Sequence, residues 1–222
     1  AVLIEPLVQG AGGMRFHRPE ILGRIHGAAK KHGLLFITDE IFTGFGRTGA
    51  MFACDSAGIT PDIMCLGKAL TGGALSLAAA VATDAVYDAF LSDRTRNALM
   101  HGPTFMANPL ACAAANASLD LFEGENRVAE AGAIEARLAE TLAPCRELTS
   151  VADVRALGAI GVVELEKISD LAWFRRRFIE RGVWLRPFGN IVYLTPALTI
   201  GDSDLATLTD SINMVVAEWS EL

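Results

Sequence analysis

The chain has 222 residues, of which 51% are hydrophobic, and a formal net charge of −7. This composition can bury a sizeable core, and the length suits one large domain or two small ones. The chain is acidic and contains no block of like charge. This charge pattern predicts neither a nucleic-acid partner nor a polybasic membrane anchor. Its apolar runs are also far shorter than the roughly 20 residues that span a membrane.

The cysteines are scattered along the chain. There are four of them, and none forms a C-x-x-C pair. This spacing favours neither a disulfide framework nor a zinc site, and it predicts a reducing, cytoplasmic compartment. The chain opens with Ala1 directly before an apolar, strand-like run. Because such a strand needs neighbours on both sides, we expect further sequence before it.

The first part of the chain alternates strand-like and helical patterns. Strands are predicted at 2–7, 34–38, 62–66 and 77–83, and helices at 19–32, 84–91 and 108–122. Pro19 lies in the first turn of the first helix and Gly33 lies just past its end, as is typical of helix termini. This alternation predicts an α/β fold with a mostly parallel sheet.

The pattern changes near residue 124. Beyond it, helices are predicted at 127–142, 169–180 and 203–219, and strands at 151–156, 161–165, 183–186 and 191–195. This order is typical of an α+β domain. We therefore predict two domains, at 1–124 and 125–222.

Two ionisable residues follow apolar strands in the first domain. Asp39 comes directly after the strand at 34–38, and Lys68 follows the strand at 62–66. Ligands bind beyond the carboxyl ends of strands in parallel α/β sheets, so both are candidate site residues. A turn aspartate and an exposed loop lysine are the alternatives that these residues leave open. Between them lies a glycine-rich segment at 44–49, which predicts an irregular backbone.

Together, a lysine and a carboxylate suit the cofactor pyridoxal 5′-phosphate (PLP). The cofactor needs a lysine for its aldehyde, an acid for its pyridine nitrogen and donors for its phosphate. A lysine close to an apolar strand is also suited to reacting as a neutral amine.

The order of these motifs resembles the class III (ω-amino) aminotransferases of fold type I. The order is a strand, Asp-Glu-Ile at 39–41, Gly-Phe-Gly-Arg-Thr-Gly at 44–49, a second strand and Gly-Lys-Ala at 67–69. Further matching segments lie at 9–14, 100–111, 157–164 and 182–188, so the resemblance covers essentially the whole chain. It implies a partial PLP-binding large domain at 1–124, followed by a C-terminal small domain.

The resemblance assigns roles around the cofactor. It implies that Asp39 pairs with the pyridine nitrogen and that Ile41 packs on one face of the ring. It implies that Lys68 binds the cofactor covalently, contacts the substrate and moves the proton during catalysis. Pro103 and Thr104 match a loop that reaches the phosphate held by a neighbouring subunit, which implies a homodimer with shared active sites.

The resemblance also assigns substrate contacts. Gly102 matches a substrate contact beside the phosphate loop, and Arg186 matches the arginine that binds the carboxylate of the keto substrate. Tyr193 lies in the same pocket by similarity. No metal is implied. Many family members have a glutamate that pairs with this arginine at the position of Gly10, so the resemblance implies that Arg186 is not gated in this way.

The segments His-Gly-Pro-Thr-Phe at 101–105 and Trp-Leu-Arg-Pro-Phe at 184–188 resemble one subfamily of these enzymes. This resemblance implies the transamination of 8-amino-7-oxononanoate to 7,8-diaminononanoate in biotin biosynthesis, with S-adenosyl-L-methionine as amino donor. Lysine as the donor stays open. Two other interpretations also stay open: another class III ω-aminotransferase that uses a diamine, ornithine or an ω-amino acid, and a catalytically inert fragment without the N-terminal half.

Overall fold

The computed structural model describes residues 1–222, which divide into two compact units. Unit 1 comprises Ala1–Gly10, Phe16–Phe45 and Ala50–Asn126, and unit 2 comprises Ala11–Arg15, Gly46–Gly49 and Arg127–Leu222. Two short segments from the first half of the chain therefore belong to unit 2, which is not one continuous stretch of sequence.

The first half of the chain forms six strands and four helices. The strands are β1 (Val2–Ile4), β2 (Val8–Gln9), β3 (Arg15–Phe16), β4 (Phe36–Asp39), β5 (Ile63–Leu66) and β6 (Ala79–Ala82). The helices are α1 (Pro19–Lys31), α2 (Ala53–Ser56), α3 (Asp84–Asp88) and α4 (Pro109–Gly124), with 3-10 turns at Lys68–Thr71 and Thr95–Asn97. The sequence pattern does not predict the short elements β2, β3 and α2.

A four-stranded sheet organises unit 1, in the order β1-β4-β5-β6. β1, β4 and β5 run parallel, and β6 pairs antiparallel with β5. The prediction of an α/β fold with a mostly parallel sheet is confirmed. The carboxyl ends of β4 and β5 consequently lie side by side at one edge of the sheet.

Helix α1 is fixed to the opposite ends of these strands. Gly33 adopts a left-handed φ of 64° and ends the helix, as its sequence position predicts. Lys30 Nζ lies 2.5 Å from Asp62 Oδ1, and Asp62 Oδ2 accepts a hydrogen bond of 2.7 Å from the Phe36 amide. Asp62 therefore joins the end of α1 to the start of β4.

Unit 2 packs three helices around a three-stranded antiparallel sheet. The strands are β7 (Val151–Leu157), β8 (Ile160–Leu165) and β9 (Ile191–Leu194), and the helices are α5 (Arg127–Thr141), α6 (Leu171–Glu180) and α7 (Asp202–Ser220). Their apolar side chains share one core, which includes Leu138, Val163, Phe174 and Val215.

The strand predicted at 183–186 does not form. Val183 and Leu185 are buried while Trp184 and Arg186 are exposed, so the alternation is that of a strand. Pro187 follows directly, however, and a proline has no amide hydrogen for a sheet. The prediction was wrong because alternation shows which face is buried and does not supply a partner strand.

None of the helices is long and apolar enough to cross a membrane.

Candidate active site

Asp39 stands at the carboxyl end of β4. It is the last residue of the strand and lies opposite Cys65 of β5 in the parallel register. Its Oδ1 accepts a hydrogen bond of 3.0 Å from the Ile41 amide, which fixes the direction of a half-buried carboxylate. Burial, and then the negative charge of Asp39, raise the pKa of the Cys65 thiol. The charge of the Asp39 carboxylate therefore disfavours ionisation of a thiol on the neighbouring strand β5.

Lys68 lies just beyond the end of β5, with an exposed side chain. It is the first residue of the 3-10 turn Lys68–Thr71 and has a φ of 47°. A left-handed backbone is uncommon for a residue other than glycine, and it costs on the order of 1–2 kcal/mol. Ser118 Oγ in α4 donates a hydrogen bond of 3.1 Å to the Ala69 carbonyl, which holds this turn in place.

The two strand ends are also in contact through Ile41. A Cβ atom added to Gly67 would lie 3.4 Å from Ile41 Cγ2 and 3.6 Å from Ile41 Cγ1. The Ile41 side chain therefore packs on the backbone immediately before Lys68. Asp39, Ile41 and Lys68 thus all lie at the same edge of the sheet, which the order of the strands predicts for Asp39 and Lys68.

Phe42 is a neighbour of Lys68 that the sequence did not reveal. Lys68 Nζ lies 4.9 Å from the centroid of the Phe42 ring. The same ring faces Gly10, where an added Cβ atom would lie 3.1 Å from Phe42 Cδ1. The Gly10 amide donates a hydrogen bond of 2.8 Å to Glu5 Oε2. No sequence signal links these segments, because they are far apart along the chain.

Glu40, next to Asp39, is a fully buried carboxylate. It accepts hydrogen bonds from Thr43 Oγ1 at 2.6 Å, from the Ala53 amide at 3.0 Å and from the Cys54 amide at 2.9 Å. These bonds satisfy the charge and fix the chain after β4 to the start of α2. Burial, followed by the charge of Glu40, raises the pKa of the Cys54 thiol to about 12.

The glycine-rich segment is irregular, as predicted. Gly46 and Gly49 adopt φ values of 80° and 93°. Between them, Arg47 Nη1 donates to the Ala159 carbonyl at 3.0 Å and to the Pro196 carbonyl at 2.6 Å, all within unit 2. Burial lowers the pKa of the Arg47 guanidinium. No sequence pattern assigns Arg47 this anchoring role, because its partners lie more than 100 residues away.

Gly102, Pro103 and Thr104 lie in an exposed, irregular segment of unit 1. The Pro103 carbonyl accepts a hydrogen bond of 2.9 Å from the Met106 amide, which forms a turn. The segment leads to Asn108, whose side chain accepts hydrogen bonds from the first amides of α4. An added Cβ atom at Gly102 would meet nothing within 4 Å.

Arg186 and Tyr193 lie in one hairpin of unit 2. The Phe188 and Ile191 amides each donate to the other residue's carbonyl, at 3.0 and 2.8 Å, which joins the Arg186 segment to β9. Tyr193 is half-buried in β9, and its ring meets that of Phe188 edge to face, with the centroids 5.5 Å apart. Arg186 itself is exposed. The hairpin therefore brings these two predicted substrate contacts into the same part of unit 2.

The model of the family described as aminotransferase class-III matches residues 1–216. The chain belongs to the class-III aminotransferase family. This class-III aminotransferase chain is 47% identical over 216 residues to an adenosylmethionine-8-amino-7-oxononanoate aminotransferase from Corynebacterium glutamicum, an alignment that covers 97% of the chain and 51% of the relative.

Solved structures resemble the class-III chain as well. An adenosylmethionine-8-amino-7-oxononanoate aminotransferase from Methanocaldococcus jannaschii matches with a TM-score of 0.90 and 34% identity, over 97% of this chain and 53% of that one. An amine transaminase from an uncultivated Pseudomonas species, in its PLP-bound form, matches with a TM-score of 0.91 and 33% identity, over 98% and 52%. These matches confirm the prediction of a fold type I chain. The chain spans about half the length of the curated relatives it matches.

Proposed function

We propose that the protein to which this class-III aminotransferase chain belongs is a PLP-dependent aminotransferase of biotin biosynthesis, acting in the cytoplasm. It transfers the amino group of S-adenosyl-L-methionine to the ketone of 8-amino-7-oxononanoate and forms 7,8-diaminononanoate. The name of the Corynebacterium glutamicum relative supports this reaction. The observation that carries the proposal is the position of Lys68, in a left-handed backbone at the strand ends that also hold Asp39.

The residues at the strand ends fit PLP by their chemistry. Lys68 offers an exposed primary amine, Asp39 a half-buried carboxylate and Ile41 an aliphatic surface. When bound, PLP supplies an electron sink for negative charge at the substrate carbon. Asp39 would keep the pyridine nitrogen protonated and so maintain that sink. Lys68 would hold the cofactor by its amine and Ile41 would pack on the ring, while Pro103 and Thr104 would bind the phosphate of the cofactor held by the neighbouring subunit.

Lys68 is also proposed as the catalytic base and acid. Its amine, released when the amino group of the donor takes its place, would remove the proton from the substrate carbon that carries the amino group, and would return a proton in the second half of the reaction. The exposed side chain on a constrained backbone supports such a role, because a lysine has several rotatable bonds between its amine and a fixed point of attachment.

Arg186 is proposed to bind the carboxylate of the keto acid. A guanidinium is planar and donates two parallel hydrogen bonds to a carboxylate, which a lysine cannot do. Tyr193 belongs to the same hairpin and Gly102 would contact the substrate beside the phosphate loop. The exposed position of Arg186, on a segment held by Phe188 and Ile191, supports this assignment.

A homodimer with shared active sites is the proposed assembly. The segment that contains Pro103 and Thr104 also exposes Met100 at 84% and Phe105 at 79%. Large apolar side chains that are exposed within one segment indicate a surface that another part of the assembled protein covers, and a partner protomer fits this requirement. Mixed dimers test this assembly. In a dimer of one Lys68→Ala protomer and one Thr104→Ala protomer, one site carries both changes and the other carries neither. Activity should therefore recover on mixing, whereas strictly additive activity would argue against shared sites.

The cofactor assignment is tested on the full-length protein. It should absorb as a yellow PLP protein, and borohydride should abolish that colour and fix the pyridoxyl group to a lysine. Peptide mapping should find the label on Lys68, and a Lys68→Ala variant should take up none. A label on Lys30, Lys31 or Lys167 would contradict the proposal.

The donor is tested in the first half-reaction alone. S-adenosyl-L-methionine, lysine, ornithine and a diamine would each be added to the PLP-loaded full-length protein, and the loss of its colour followed. We expect conversion with S-adenosyl-L-methionine. Loss of colour with ornithine or a diamine only would favour another class III ω-aminotransferase. Loss of colour with lysine only would make lysine the amino donor and leave the proposed acceptor unchanged. A full-length protein that reacts with none of them would contradict the proposed reaction, and the same assay on the 222-residue chain alone tests whether it is an inert fragment without the N-terminal half.

A further inference from the structure

We propose that Phe42 is a positioning residue for the Lys68 amine, and that position 10 holds a glycine because the Phe42 ring needs its space. The proposal deepens the proposed function and rests on it for the role of Lys68. It concerns side chains that neither the family match nor the names of the relatives assign. No contact with the cofactor is needed for the inference, which follows from three residues of unit 1.

Phe42 contacts Lys68 through the face of its ring. The ammonium nitrogen lies 4.9 Å from the ring centroid, within the roughly 6 Å over which an aromatic face attracts a cation. A lysine side chain has many rotamers, so an attractive surface near its end narrows where the amine is found. The fixed φ of 47° at Lys68 sets the direction in which the side chain leaves the backbone.

Gly10 lies against the Phe42 ring and leaves little room for a side chain. The distance of 3.1 Å from an added Cβ atom to Phe42 Cδ1 is shorter than an ordinary van der Waals contact. The Gly10 backbone cannot easily retreat, because its amide is bonded to Glu5 Oε2 at 2.8 Å. A methyl group at position 10 would therefore displace the ring by a few tenths of an ångström. Because the same ring contacts the Lys68 amine, its displacement would also change the surroundings of that amine.

The test measures the amine of Lys68 directly, in full-length protein freed of PLP. Brief acetylation with acetic anhydride, followed by mass spectrometry, gives a labelling rate for each lysine. Phe42→Leu keeps an apolar side chain but removes the aromatic face. It should raise the labelling rate of Lys68 about two- to fivefold, as expected from an exposed cation–π contact of 0.5–1 kcal/mol. Phe42→Tyr should restore the parent rate.

The rates at Lys30, Lys31 and Lys167 serve as internal controls for folding and reagent. They should stay within experimental error of the parent in every variant. An unchanged Lys68 rate in Phe42→Leu, with the other lysines also unchanged, overturns the proposal. A general rise at all four lysines means that the substitution acts on folding, and this also counts against a specific positioning role.

A double-substitution cycle tests the link to Gly10. Gly10→Ala should raise the acetylation rate of Lys68 in the parent. It should have little further effect in the Phe42→Leu background, because both substitutions act on Lys68 through the Phe42 ring. Gly27→Ala is the matched control, since a Cβ atom there meets nothing within 4 Å. Independent, multiplicative effects of Gly10→Ala and Phe42→Leu would refute the link.

The two proposals fail in different ways. If pyridoxyl mapping of the parent finds a lysine other than Lys68, the proposed function is wrong while the acetylation result still reports on the Phe42 contact. If the label is on Lys68 and the acetylation rates do not respond to Phe42, the positioning role is wrong and the proposed function stands.

Discussion

Gly158 is the position in unit 2 where a single methyl group should do the most damage. It is the first residue of the two-residue turn between β7 and β8, with a φ of 53°. An added Cβ atom would lie 2.4 Å from the Arg47 carbonyl oxygen, 2.6 Å from the Gly49 nitrogen and 2.6 Å from the Thr48 carbonyl carbon. These are backbone atoms, so no side chain can rotate away to make room.

The cost of Gly158→Ala has two parts. A left-handed backbone disfavours alanine by about 1–2 kcal/mol. Separating the overlapping backbones would also break the bond of 2.9 Å from the Ala159 amide to the Arg47 carbonyl, and the bond of 2.7 Å from the Gly158 amide to Glu135 Oε2. A neutral hydrogen bond contributes about 0.5–1.5 kcal/mol and a charged one about 1.5–3 kcal/mol. The free energy of unfolding should therefore fall by about 3–6.5 kcal/mol.

Urea unfolding of the full-length protein at a fixed concentration measures this change. Gly182→Ala is the matched control, because Gly182 has a φ of 75° and nothing within 4 Å of an added Cβ atom. It should lose only the conformational part, about 1–2 kcal/mol. If Gly158→Ala is no more destabilising than Gly182→Ala, the backbone overlap carries no energetic weight and the reasoning is wrong.

Three other substitutions have defined expectations. Asp39→Asn should keep the cofactor and lose most of its turnover, because an amide supplies no charge to the pyridine nitrogen; steady-state turnover within about threefold of the parent, under 1 kcal/mol, would contradict this. Arg186→Ala should raise the KM for 8-amino-7-oxononanoate about 10- to 150-fold, from a lost charged hydrogen bond of roughly 1.5–3 kcal/mol; an unchanged KM would remove Arg186 from the site. Hydrogen bonds from Arg177 and Arg181 lower the pKa of Glu218 in the folded protein. The ionised Glu218 therefore stabilises the fold above its unfolded pKa, and this contribution is lost as the pH falls through the lower folded pKa. The difference in urea midpoint between the parent and Glu218→Gln should shrink from about pH 5 to about pH 3, and a constant difference would argue against this ion pair.

The sequence predicted the elements whose signals are local. Pro19 and Gly33 bracket α1 because both act through their own backbone angles. The strands β4 and β5 follow from short apolar runs, and their ends correctly place Asp39 and Lys68 at one edge of the sheet. Arg186 shows the limit, because the alternating segment around it resembles a strand but bonds to β9 only through Phe188.

The rest of the site depends on pairs that meet only in the folded chain. Phe42 contacts Lys68 and faces Gly10, 26 and 32 residues away in sequence. Glu40 is fully buried, although charged residues are rarely buried, and only its three hydrogen bonds explain why. The spacing of residue types carries no record of such contacts, so they could not be predicted from the sequence alone.

The two short segments of unit 2 that come from the first half of the chain impose an order on its assembly. Arg155 Nη2 donates to the Met14 carbonyl across 141 residues, and Arg47 Nη1 donates to the Pro196 carbonyl across 149. Contacts of such sequence separation form slowly, because a long loop must close first. During synthesis, Met14 and Arg47 leave the ribosome well before their partners Arg155 and Pro196. A gene divided after Asn126 would consequently yield a C-terminal piece without either segment, and its unit 2 could be completed only by reassociation of the two pieces.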